Sequence, residues 1–131
     1  MSWQSYIDSE IKDKVSCNVA VIAGITDGQL WGHYVKEGLQ PIIPTELKTI
    51  ADTMRDNPNC FLEKGIHLGG EKYFCLSAEN SLIRGRKDNR ALCVVSTNAT
   101  LVGAVTADNE PPGKLNTVVE KLGDYLKSMG Y

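Results

Sequence analysis

Residues 91–96, ALCVVS, put apolar side chains at successive positions instead of alternate ones. Neighbouring side chains of a strand point to opposite faces, so such a run predicts a sheet covered on both sides. NVAVIAG at 18–24 also reads as a buried strand. Helices are the available cover. PPGKLNTVVEKLGDYLKSM sets Leu115, Val118, Val119, Leu122, Leu126 and Met129 at i, i+3, i+4, i+7 spacing, which predicts a long amphipathic closing helix. TELKTIADTMR places Leu47, Ile50, Ala51 and Met54 on one stripe, with Thr45 as the expected cap and Asn57-Pro58 as the stop. At the start, Trp3, Tyr6, Ile7 and Ile11 recur at helical spacing behind a candidate N-cap, Ser2.

The remaining strands follow from turn chemistry. Thr26-Asp27-Gly28 separates the first strand from a second over Gln29 to His33. From Gly65 to Asp108 the pattern is a meander: GIHLGG, KYFCLSA, SLIRG, ALCVVST and TLVGAVT, with AEN, KDN and TNA as turns. The expected fold class is α+β with a central antiparallel sheet, one domain over residues 1–131, since no repeat or linker interrupts the chain.

Composition excludes several functions. A net charge of −2 argues against a dedicated nucleic-acid binder. No apolar run is long enough to span a bilayer, and Asp8 and Glu10 break any signal-peptide core, so a cytoplasmic chain with reduced thiols is expected. Cys17, Cys60, Cys75 and Cys93 lack C-x-x-C spacing; Cys75 and Cys93 are expected in the core. His33 and His67 stand in separate strands without clustered ligands, so no metal and no cofactor are expected. GIHLGGEK imitates a phosphate loop, but Glu71 stands where lysine should follow and a strand succeeds it, so it reads as a sharp turn. Nothing supplies a nucleophile with its base, and no enzymatic activity is expected.

Two features remain. IRGRKDNR gathers Arg84, Arg86, Lys87 and Arg90 about a hairpin, opposed locally only by Asp88. It reads either as a solvated loop or as a basic patch for an acidic protein or anionic lipid head groups. The second feature is aromatic. Trp3 and Tyr6 lie one helical turn apart near one end of the sequence, with Tyr125 and Tyr131 near the other. If the two terminal helices pack side by side, these rings either glue them together or line a shallow groove for a polyproline II peptide.

SWQSYID, SLIRGRKD and PPGKLNTVVEKLGDYLKSMGY together resemble the motifs of the profilin family, and the similarity runs over the whole chain. The resemblance implies terminal helices side by side on one face of the sheet and smaller helices on the other. It implies a monomeric cytoplasmic and cytoskeletal protein that binds monomeric actin, proline-rich proteins such as actin-nucleation factors, and phosphoinositides. By matched position the proline groove falls on Trp3, Tyr6, Trp31, Tyr125 and Tyr131. Actin contacts fall on Lys72, Arg86, Lys87, Gly113, Asn116 and Lys121, and phosphoinositide contacts on Arg84, Arg86, Lys87 and Arg90. The sequence departs from common family residues at Ser77, Arg84 and Thr117. The alternative is therefore a profilin-like adaptor that keeps the proline groove with weak or no actin affinity.

Overall fold

The structure is a computed structural model describing residues 2–131. Its elements run α1 (Trp3–Tyr6), a π-helical segment (Ile7–Lys12), β1 (Cys17–Gly24), β2 (Leu30–Val35), α2 (Pro44–Asp56), α3 (Cys60–Lys64), β3 (Ile66–Leu68), β4 (Glu71–Ala78), β5 (Leu82–Lys87), β6 (Arg90–Ser96), β7 (Thr100–Thr106) and α4 (Pro112–Ser128). The strands form a seven-stranded sheet in the order β2-β1-β7-β6-β5-β4-β3, every pairing antiparallel.

The two-sided apolar strands do what their pattern demands. Val19, Val21, Leu92 and Val94 pack with Leu47, Ile50, Met54 and Phe61 from α2 and α3. Their neighbours Ala20, Ile22, Cys93 and Val95 pack with Ile7, Ile11, Leu115, Val119 and Leu126 from the terminal helices. Each face of the central strands thus has its own core.

Coverage fails at β4. Phe74 and Leu76 are 72% and 65% exposed, because α4 lies over β6 and β7 and does not reach that far. Cys75, expected in the core, is only half-buried at its edge, whereas Cys93 is fully enclosed.

Helix ends also differ from expectation. Thr45 is not the cap of α2. The helix starts at Pro44, whose fixed φ suits the first helical position, after an extended Ile43. α3 is too short to show periodicity and is anchored by the buried Phe61. Met129 does not join the α4 stripe; it is the C-cap and 56% exposed. Gly130, at φ 91°, then reverses the chain. Its N–H bonds to the Lys127 carbonyl at 3.1 Å and the Tyr131 N–H to that of Leu126 at 2.9 Å, a Schellman closure.

Candidate functional site

Both helical termini are fastened down. Ser2 caps α1 as expected, its Oγ accepting from the Ser5 N–H at 3.1 Å. β2 is an edge strand, and its free main chain at His33 is met by one side chain. Gln4 donates to the His33 carbonyl at 2.9 Å and accepts from its N–H at 3.1 Å. α1 lies so close that a Cβ on Gly32 would come within 2.9 Å of the Trp3 backbone. Lys12 lies 4.0 Å from the centre of the Tyr34 ring, a second tie between the helical start and β2. At the other end the Tyr131 main-chain oxygen accepts from the Ala99 N–H, and from Thr97 Oγ1 at 3.0 Å.

These ties assemble five rings. Trp3 stands 4.9 Å from Trp31, 5.0 Å from Tyr131 and 5.8 Å from Tyr6, and Tyr6 stands 6.0 Å from Tyr125. Trp31, Tyr125 and Tyr131 are 38%, 45% and 42% exposed, so the rings are a surface as well as glue. A hydrogen bond to the neighbouring Tyr125 hydroxyl raises the Tyr6 phenol above its ordinary value. Trp31 had no spacing signal; only the tertiary pairing of α1 with β2 brings it to Trp3.

The basic residues are less united than their sequence suggests. Arg84 is held by Glu120 of α4 at 2.6 Å. Arg90 pairs with Glu71 at 3.2 Å and Asp108 at 3.5 Å, and Lys87 pairs with Glu71 at 3.3 Å. Asp88 is therefore not the only opposing charge, because the balancing carboxylates come from distant segments. Partial burial pushes the Glu71 carboxyl up, but Lys87 and Arg90 outweigh it and leave it below the usual range. Among the described residues Arg86 donates only to the Asp88 main-chain carbonyl, at 3.0 Å.

Arg86 pairs with Phe74 across β4 and β5, so the two share a face, and Lys72 lies on that face too. A small cleft joins Arg86, Leu76 and Asn116, with Gly113 open to solvent one turn earlier on α4. Lys87 turns to the opposite face. Lys121 also stands apart, lining a different cleft with Tyr6 and Tyr125. Sequence reasoning missed Phe74 and Leu76, since an apolar neighbour on either side looks like burial on both faces. The imitation phosphate loop is a β3–β4 turn whose Gly69 and Gly70 N–H groups both donate to the Glu46 carboxylate, at 2.9 and 3.1 Å. His33 and His67 are exposed, and the described residues hold no group of three or more potential metal ligands. No described helix is long and apolar enough to cross a membrane.

The family model described as Profilin matches residues 1–131. The chain belongs to the profilin family. A profilin of Branchiostoma belcheri is 36% identical over 126 residues, 96% of each protein. Acanthamoeba castellanii profilin II superposes with a TM-score of 0.88 at 28% identity, covering 99% of this chain and 100% of that one. Schizosaccharomyces pombe profilin gives 0.88 at 27% identity with the same coverage. The fold is also shared with mouse profilin IIa, solved in complex with a double repeat from the FH1 domain of mDia1 (TM-score 0.76, 24% identity, all of both chains). The profilin fold, a curled antiparallel sheet between terminal and smaller helices, is thus the fold of this chain.

Proposed function

We propose that this profilin is a single-domain, monomeric cytoplasmic and cytoskeletal adaptor, not an enzyme, that binds proline-rich segments and monomeric actin on separate surfaces and so regulates actin polymerisation. The observation that carries the reading is the ring series Trp31–Trp3–Tyr6–Tyr125, with steps of 4.9, 5.8 and 6.0 Å. A polyproline II chain rises about 3.1 Å per residue, so each step spans about two residues and about six cover the series. Flat rings take the proline faces, while phenol and indole hydrogens reach the exposed peptide carbonyls. The FH1-bound mouse profilin is consistent with this reading.

Actin is assigned to the bare face of β4 and β5 with the start of α4: Lys72, Phe74, Leu76, Arg86, Gly113 and Asn116. An exposed apolar patch rimmed by polar and basic groups is a mark of a protein interaction site. Lys87 and Lys121 would act from its margins. Anionic phosphoinositide head groups would meet Arg86 first. Arg84, Lys87 and Arg90 would have to exchange carboxylate partners, which makes this the weakest of the three interactions.

The test is paired. Intrinsic tryptophan fluorescence during titration with an octaproline peptide reads the first surface, and retention of monomeric actin on immobilised protein reads the second. Saturable change with both supports the proposal. Proline binding without actin retention favours the adaptor of weak or no actin affinity, and no proline binding refutes the ring surface.

A further inference from the structure

The aromatic surface does not stop at Tyr125. A cleft of about 540 Å³ opens beside it between the π-helical segment and α4, and Tyr6 and Tyr125 line both it and the ring series. Its floor is apolar, with Val118 half-buried over the enclosed Leu122. Its walls are charged. Glu10 and Lys14 satisfy each other at 2.8 Å, whereas Lys121 is exposed and has no ion-pair partner among the described residues. The first wall is π-helical, its Asp13 N–H reaching back five residues to the Asp8 carbonyl at 3.1 Å. Such segments are rare and frequently found at functional sites.

We propose that this cleft is a flanking subsite that selects among proline-rich segments, taking an apolar side chain over Val118 and an acidic one against Lys121. The inference rests on the proline-binding reading above. Charge argues for it: with Glu10 neutralised by Lys14, Lys121 leaves the cleft positive. Continuity argues for it too. Lys121 precedes Tyr125 by four residues, about 6 Å along the helix axis, which is about two residues of an extended proline-type chain. A ligand leaving Tyr125 therefore meets Lys121 and Val118 within about three residues of its last proline.

The experiment compares three peptides by calorimetry on the full chain. One is octaproline, one carries Leu-Glu before and Glu-Leu after the run, and one carries Leu-Lys and Lys-Leu. Flanking both ends makes the result independent of chain direction. On wild type the Glu-flanked peptide should bind about tenfold tighter than octaproline, and the Lys-flanked peptide no tighter. Lys121→Glu should reverse that order, whereas Lys127→Glu, the same charge change outside the cleft, should leave it unchanged. Octaproline and Glu-flanked affinities within twofold on wild type overturn the subsite while leaving the ring surface standing. An order unchanged by Lys121→Glu, or reversed equally by Lys127→Glu, also overturns it. If no peptide binds wild type, the ring surface and the subsite fall together.

Discussion

Trp3→Ala should remove proline binding more completely than any other single ring deletion. Among the described residues Trp3 is the only ring that touches three others, at 4.9, 5.0 and 5.8 Å, so its loss both deletes a stacking face and interrupts the series between Trp31 and Tyr6. Aromatic pairs contribute about 0.5–1.5 kcal/mol each beyond the area they bury, so losing three should cost the fold about 1.5–4.5 kcal/mol. Trp31→Ala deletes one such pair and should cost about 1 kcal/mol by the same reckoning. The fold should survive, because Trp3 is packed against the terminal-helix core without being one of its fully enclosed members. For the ligand, losing the central aromatic of a binding surface costs about 2 kcal/mol or more, roughly thirtyfold in affinity. Trp31 remains as a fluorescent reporter in the variant, and calorimetry with octaproline gives an independent value. Thermal melting, run alongside, separates lost binding from lost folding. Actin retention should be unchanged, since Phe74 and Arg86 stand on β4 and β5, across the sheet from β2 and the rings. A folded Trp3→Ala protein that binds octaproline within twofold of wild type would refute the reasoning.

Three other perturbations test the rest of the architecture. Gly123→Ala would set a Cβ 2.6 Å from Val95 Cγ1, and this overpacking should outweigh the roughly 1 kcal/mol gained in helix propensity, for a net loss of about 1 kcal/mol or more in urea unfolding. A stabilised variant would contradict that close approach. Burial pushes the Cys93 thiol up to about 12, so it should stay unlabelled by a disulfide-exchange reagent at pH 8 until the protein is denatured, while half-buried Cys60 reacts in the native state. Combining Phe74→Ala with Arg86→Glu should cut actin retention by tenfold or more while octaproline affinity holds; equal loss of both ligands would mean the two surfaces are not separate.

Much of the fold is legible because its signals are local. The two-sided apolar runs, the turn clusters and the stripe of α4 each lie within about twenty residues, and all reappear as elements. The pinning of the termini was half legible: Trp3 with Tyr6, and Tyr125 with Tyr131, marked the rings but not the ties. Those ties are Gln4 on the His33 main chain and the Tyr131 oxygen on the Thr97–Ala99 turn, contacts between distant segments that no spacing encodes. The same reason explains the basic hairpin. Arg84 and Arg90 look free in IRGRKDNR because Glu120, Glu71 and Asp108 lie outside it. Phe74 and Leu76 escaped notice for the opposite reason: their apolar pattern matches the central strands, and only the reach of α4 decides which strands stay covered.

The central claim is that the five rings form one docking surface for a proline run. Its most direct test is nuclear magnetic resonance of the isotopically labelled protein during titration with octaproline. The account predicts saturable shifts of the Trp3 and Trp31 indole N–H signals, with shifts in the ring resonances of Tyr6, Tyr125 and Tyr131, and the Tyr73 ring unmoved. Shifts centred on Tyr73 or the β4–β5 face, or indole signals that stay still at saturation, would contradict it.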